Sequence, residues 1–296
     1  MNIKMKTKSA LNQKSTSEKV VFTVAFIILL IYALSFMFPL VWLLFNSLKS
    51  QLNYLDDFTK AIALPKWGKW QFENYLEAVQ GLSHNRTDFI GMFFNSIWTS
   101  VVSLALNMFL SCCTGYVLAK YRFKGRDFIY GVAIVCMTLP IFGTGGATYT
   151  FYHQTQMYNT PFYVIFSSLG AFGTRFLMLY GFFKSVSWDY AEAVFIDGGN
   201  DYTVFFRIML PLAFPMIATL CITGFIGQWN AYEAYLIYLP SFPTIAVGIY
   251  EVRAKYTNDQ PVYFSAMIIS MIPVIVLFCC FADTIMKNFS IGGLKG

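Results

Sequence analysis

Apolar residues in this chain fall into long blocks and do not alternate with polar ones. Six blocks, at roughly 20–45, 92–118, 128–152, 161–184, 212–238 and 263–286, each supply the ~20 mostly apolar residues that a helix needs to cross a bilayer. They are too long for core strands. Backbone N–H and C=O groups in lipid find no water, so only helices or a closed barrel satisfy them. The short alternating segments of a membrane barrel are not present. The pattern predicts an all-α integral membrane protein with six transmembrane helices filling 20–286, a basic tail at 1–19 and a second tail at 287–296. The first block runs from Val20 past Pro39 with no small-residue cleavage site behind it, so it reads as a span and not a signal peptide. Pro140, Gly143, Gly145 and Gly146 loosen the third block, either as a packing kink or as a broken helix lining a path.

Lysine and arginine give the blocks a direction. Lys4, Lys6, Lys8, Lys14 and Lys19 precede the first block, and Lys120, Arg122, Lys124 and Arg126 follow the second. Lys184 and Arg207 lie around the connection after the fourth, and Lys287 and Lys295 close the chain. Six crossings put all of these on one side, expected to be the cytoplasm, with both termini there. The connection near 153–160 has neither residue, as an outer loop should. The first outer loop mixes its basic residues with Asp56, Asp57, Glu73 and Glu77, and long loops follow the rule weakly.

Composition agrees with a lipid environment. Hydrophobic residues make up 57% of the 296 and charged residues 12%, against roughly 25% charged in soluble domains. The net charge of +6 does not indicate nucleic acid, because the basic residues cluster at block ends and form no binding surface. Cys112, Cys113, Cys136, Cys221, Cys279 and Cys280 all lie in apolar runs and read as small hydrophobes. Neither they nor the two histidines, His84 and His153, have metal-ligand spacing, so no metal site is expected.

The connection 185–211 is far longer than the usual two to six residues and reads as helical. Ser187 is placed to cap a first short helix with Asp189 in its first turn. Gly198 and Gly199 interrupt it as a left-handed C-cap would. Asn200 then caps a second short helix beside Asp201, and Pro211 starts the fifth span. Two short helices outside the membrane make a knob, and a knob implies a socket on a soluble partner.

The stretch from Asp189 to Pro215, DYAEAVFIDGGNDYTVFFRIMLPLAFP, resembles the EAA loop of ABC-importer permeases. That signature is Glu-Ala-Ala, three residues, Gly, nine residues, Ile, one residue, Leu-Pro. Glu192, Ala193, Gly198, Ile208, Leu210 and Pro211 match it; Val194 replaces the second alanine, and Asp197 supplies the Asp-Gly pair of the carbohydrate branch. The resemblance runs from about Phe36 to the end. It includes FENYLEAV around Asn74, Asn95-Ser96, GYVLAKYRFKGR from Gly115 to Arg126, and Gln228-Trp229-Asn230. The tail KNFSIGGLKG, with Gly292, Gly293 and Lys295, is similar to that of the maltose-type subunit and by resemblance enters the ATPase interface. The chain departs from the pattern at Ser187, where proline is usual, and at Tyr180, where arginine is frequent.

The resemblance implies the type I ABC importer permease fold in a bacterial inner or plasma membrane. It implies pairing with a second homologous permease, docking of the loop helix on an ATPase dimer, and delivery of a sugar by an extracellular solute-binding protein or lipoprotein. Glu192 would offer charge to the ATPase, and Ala193 and Gly198 would permit close docking and turning. No G-x-x-x-x-G-K-[ST] loop occurs, so this chain is expected to bind no cofactor and to be no enzyme, with ATP and magnesium held by the partner ATPase.

Two features remain open on their residues. Arg175 within the fourth block is either a structural cation, paired with Glu233 or snorkelling, or a cavity cation for an acidic sugar. Trp229, Tyr232 and Tyr235 recur every three residues with Asn230 and Glu233 among them. They form either a sugar face or helix packing with an aromatic belt. The rival functions are a secondary active transporter, which should show repeats and buried ion-coupling carboxylates, a membrane enzyme with clustered catalytic groups, and an ABC permease for a non-sugar solute.

Overall fold

A computed structural model describes residues 16–57, 69–139 and 143–289. Its regular elements are all helices; among the described residues one short bridge, His84 to Thr87, is the sole extended pairing. The N-terminal 15 residues, Pro140 and the C-terminal Gly292, Gly293 and Lys295 lie outside the described residues.

The first helix, α1 (Thr16–Ser47), is mostly apolar from Val20 to Phe45, with Pro39 inside it. Its far end is a polar knot. Asn74 Nδ2 donates to the carbonyls of Ser47 (2.7 Å) and Lys49 (2.8 Å), and Ser265 Oγ donates to the same Ser47 carbonyl (3.3 Å). Buried Lys49 pairs with Asp57 at 3.4 Å, at the end of α2 (Gln51–Asp57). Asn74 thus fastens α3 (Glu73–Gly81) under the end of α1, which gives the asparagine of FENYLEAV a structural task.

The hub is α4 (Phe89–Lys120), capped by Asp88, whose carboxylate accepts from Gly91 N–H at 2.9 Å. Two broken stretches follow. The third apolar block is α5 (Arg126–Thr138) and α6 (Gly145–Gln154), with Gly143 at φ +79° between them. The fourth is α7 (Pro161–Ser167) and α8 (Thr174–Ser185), separated by Ser168–Gly173. At 1.5 Å per residue, none of these four reaches the ~30 Å of a hydrocarbon core. One uninterrupted helix per block is therefore corrected here, and the cause is the glycine-rich joints within each block.

Next come α9 (Asp189–Ile196), α10 (Asp201–Thr203), a π turn over Val204–Met209 and α11 (Leu210–Asn230). The last three are continuous, so the second short helix of the knob is the first turn of a long one (Asp201–Asn230). The π turn sits beside Pro211, which has no N–H to donate, and Leu210 N–H reaches back to the Phe205 carbonyl. The fifth block also ends early, at Asn230, and resumes as α12 (Glu233–Tyr238). Two more helices, α13 (Ile245–Lys255) and α14 (Gln260–Phe289), complete the chain.

Four described helices are long and apolar enough to cross a membrane: Ser17–Ser47, Phe89–Lys120, Asp201–Asn230 and Gln260–Ala282. In lipid, apolar burial drives helices together weakly, because the tails are as apolar as leucine; packing and interhelical hydrogen bonds do the holding. Accordingly α4, packed against α7, α8, α11 and α13, carries a stripe of small polar residues. Ser103, Asn107 and Ser111, one helical turn apart, bond Ser168 Oγ (2.5 Å), the Gly170 carbonyl (2.7 Å) and the Ala171 carbonyl (3.3 Å). Asn107 and Ser111 supply partners that the broken backbone at 168–173 lacks. Nearer the start of α4, Ser96 Oγ accepts from Ile245 N–H (2.8 Å) and Asn95 Nδ2 donates to the Pro243 carbonyl (3.1 Å), fixing the start of α13.

Candidate functional site

The ridge formed by 187–201 is built by local rules that the sequence announces. Ser187 Oγ accepts from Asp189 N–H at 3.3 Å, one residue ahead of the conventional capping pair, because Trp188 already has helical angles. The helix α9 ends in a Schellman turn: Gly199 N–H bonds the Val194 carbonyl (2.8 Å) and Gly198 N–H the Phe195 carbonyl (3.1 Å). Gly198 has φ +79°, a region that residues with a Cβ enter only under strain. Asn200 then caps the next turn, its Oδ1 accepting from Thr203 N–H at 3.0 Å.

Only one side of α9 is packed. Ala191 is fully buried, with Val194 and Trp188 beside it, against Tyr116, Phe183, Val204 and Phe205. The other side, Glu192, Ala193, Phe195, Ile196, Asp197 and Gly198, is exposed, and Ile196 is 85% accessible. The signature thus divides in two. Glu192, Ala193, Asp197 and Gly198 stand on the projecting face, while Ile208, Leu210 and Pro211 lie in the π turn and first turn of α11, where they aim the long helix. Tyr180, at the position where the family has arginine, is packed against the Tyr130 ring at 4.6 Å.

Residues that the sequence reading passed over hold the ridge. Lys120 Nζ donates to the Val186 carbonyl at the end of α8. Tyr121 donates its phenol proton to Asp201 Oδ1 at 2.7 Å and sets its ring edge-on to Trp188. Burial, and then the hydrogen bonds to Tyr116 and Asp201, push the Tyr121 phenol up, so it remains a donor. Both lie in GYVLAKYRFKGR, and nothing in its pattern says what its side chains touch.

The candidates within the membrane block are not one cluster. Arg175 opens α8; its Nη1 donates to Asn107 Oδ1 at 2.8 Å. Its guanidinium lies over Gly224 of α11, where a Cβ would come within 2.6 Å of Nη2. Glu233 is exposed and its contact is a long 3.5 Å bond from its neighbour Tyr232, so the pairing of Arg175 with Glu233 is corrected: the partner is neutral Asn107. Trp229 is 2% exposed, stacked on Phe225, and donates from Nε1 to the Ser270 carbonyl at 3.1 Å, which makes it a packing residue. Asn230 is exposed, and its Nδ2 folds back to donate to the Ile226 carbonyl. Because the helix stops at Asn230 and Tyr232 leaves helical angles (φ −122°), the three-residue recurrence does not form one face. Tyr232 instead stacks on Tyr250, at 5.1 Å and 18°.

The comparisons with known proteins agree with this architecture. Residues 111–290 match the family described as binding-protein-dependent transport system inner membrane component. Among curated proteins, the diacetylchitobiose uptake permease NgcG of Streptomyces coelicolor is 31% identical over 90% of this chain and 87% of its own length. The arabinooligosaccharide permease AraQ of Bacillus subtilis is 28% identical over 89% and 92%. A solved bacterial ABC transporter that imports the acidic polysaccharide alginate shares the fold at TM-score 0.70, with 20% identity over 91% of this chain and 98% of the other. With four membrane-length helices and a family match over most of its length, this multi-pass membrane chain belongs to the binding-protein-dependent transport system inner membrane components.

Proposed function

We propose that this chain is the membrane-spanning subunit of an ATP-driven carbohydrate importer. It forms half of the path, takes an oligosaccharide from an extracellular binding protein, and leaves ATP hydrolysis to a separate ATPase dimer. The observation that carries the reading is the one-sided ridge. A helix whose inner face is packed and whose outer face offers Glu192, Ala193 and Ile196 to solvent is shaped for a socket. Glu192 and Asp197 give the ridge an acidic face, and Ile196 gives it an apolar tip. The substrate class follows the relatives, which carry diacetylchitobiose and arabinooligosaccharides.

The same geometry supports the sidedness. The Tyr121–Asp201 bond puts the basic run Lys120–Arg126 at the ridge end of the bundle. Positive charge belongs in the cytoplasm, so the ridge faces the ATPase there. The helices α1 and α14 are antiparallel, with Ser47 beside Ser265, so residues 16 and 289 share one end. Phe89, at the start of α4, packs near Val262 and Ala266, at the start of α14, which supports a parallel run of those two helices, with residues 16 and 289 towards the ridge end. Four long helices and the two broken pairs make six crossings. The path is lined by Arg175, Asn230, Tyr232 and Glu233, with Trp229 shaping it from behind. A second homologous permease supplies the other half, and this chain itself binds no cofactor and catalyses nothing. The tail residues Gly292, Gly293 and Lys295 reach the ATPase interface.

Affinity purification of the tagged chain from its own cells in mild detergent tests the reading. A second permease and an ATPase are expected in the eluate, with hydrolysis lost when Glu192 and Gly198 are both replaced. Recovery of the chain alone in several detergents would favour a secondary transporter.

A further inference from the structure

We propose that Tyr121 is a positioning residue for coupling: it latches both ends of the ridge to α4, so that the ridge and α4 move as one body. This rests on the reading of the ridge as the ATPase-docking element.

The ridge is gripped at its two roots and nowhere along its outer face. At the incoming root, Lys120 Nζ bonds the Val186 carbonyl and the Tyr121 ring meets Trp188 edge-on, at 5.8 Å and 83°. At the outgoing root, the Tyr121 hydroxyl donates to Asp201 Oδ1 at 2.7 Å. Two consecutive residues at the end of one helix therefore hold positions 186, 188 and 201. Since the single phenol proton of Tyr121 goes to Asp201, its oxygen accepts from Tyr116, 3.3 Å away. Tyr116 is seated in turn against Phe183 of α8 and Phe205 of the π turn.

Packing of Ala191, Val204 and Phe205 already folds the segment, so the latch is not needed to build the ridge. It decides where an external push goes. Without it, the ridge can rock on the glycine turn at 198–199 and on the π turn, and the push is spent there. With it, the push reaches α4, and α4 carries Asn107, which holds both Arg175 and the broken backbone at Gly170. From Tyr121 to Asn107 is about 21 Å along one helix. One rigid element thus joins the ridge to the membrane-embedded cation.

Tyr121→Phe keeps the ring against Trp188 and removes only the hydroxyl. Asp201→Ala removes the acceptor, and Asp201→Asn keeps one. The first readout is hydrogen exchange of the backbone at 189–200 in the purified chain, which requires no ATPase. Tyr121→Phe and Asp201→Ala should each speed exchange there about fivefold, the factor expected for one lost hydrogen bond of about 1 kcal/mol. The double variant should add nothing further, and Asp201→Asn should stay near wild type. The second readout is ATP hydrolysed per sugar imported by the complete importer in proteoliposomes. That ratio should rise severalfold in the same two variants, with complex assembly unchanged. Unchanged exchange and an unchanged ratio in Tyr121→Phe would overturn the latch. So would uptake and hydrolysis falling in proportion, since a merely structural bond does that. If the wild-type chain recruits no ATPase, the functional reading fails, and the exchange result still decides whether the latch exists.

Discussion

At Gly198 a single backbone angle decides the direction of the ridge. Alanine there meets nothing within 4 Å, so only the left-handed angle opposes it, at a cost of about 1–2 kcal/mol. Proline is a different matter: its ring fixes φ near −65°, and it removes the N–H that bonds the Phe195 carbonyl. Gly198→Ala should leave uptake near normal. Gly198→Pro should insert normally yet lose coupling between hydrolysis and uptake; normal uptake by the proline variant would remove the coupling role from this loop. Arg175 poses a second question at this scale. It is a cation in a membrane block with a neutral partner, and among the described residues it has no ion pair. A cation kept without a counter-charge is suited to meet an anionic group on the substrate. Arg175→Ala should therefore reduce the initial rate of uptake while the complex still purifies intact. Loss of the complex itself would mean that the guanidinium serves only to join α8 to α4 and Gly224.

The elements show where sequence patterns carry information and where they do not. Apolar blocks are legible because lipid makes charge costly along them, so charged residues are few. Their joints are not, because Ser168–Gly173 is uncharged, like α7 before it, and no charge marks the break. The ridge was legible residue by residue, since Gly198, Gly199 and Asn200 act through bonds to backbone three to five positions away. Trp229 was not. Its neighbours Met92, Ile245 and Ser270 are remote in sequence, and no local pattern announces them. The same reasoning locates the weak point of the broken fourth block in Asn107, which satisfies both the Gly170 carbonyl and Arg175. Interhelical bonds in membranes average about 0.6 kcal/mol each. Asn107→Leu strips both and should destabilise the purified chain by roughly 1–2 kcal/mol. Ser111→Ala, which removes one longer bond of 3.3 Å, should cost less than half as much. Thermal unfolding in detergent ranks the two, and equal effects would show that the stripe on α4 is incidental to the fold.

At the scale of the whole molecule, the number of crossings fixes which surface meets which partner. If each broken pair, α5 with α6 and α7 with α8, crosses once, the run Lys120–Arg126 and the ridge lie on one side and the connection 153–160 on the other. Because the Tyr121–Asp201 bond holds the run and the ridge together, the other arrangement has both pairs re-entering on their own side, and Gln156 would then share a compartment with Lys124. Single cysteines at Lys124, Gln156 and Ile196, in a chain whose native cysteines are replaced by serine or alanine, separate the two arrangements. All three positions are exposed, so a charged maleimide that cannot cross lipid reads location and not burial. In intact cells Gln156→Cys should label at once, while Lys124→Cys and Ile196→Cys should label only after permeabilisation. Labelling of all three, or of none, before permeabilisation would require both broken pairs to turn back within the membrane. The ridge could then still meet an ATPase, but the half-path formed by α8 and α11 would open to one side alone.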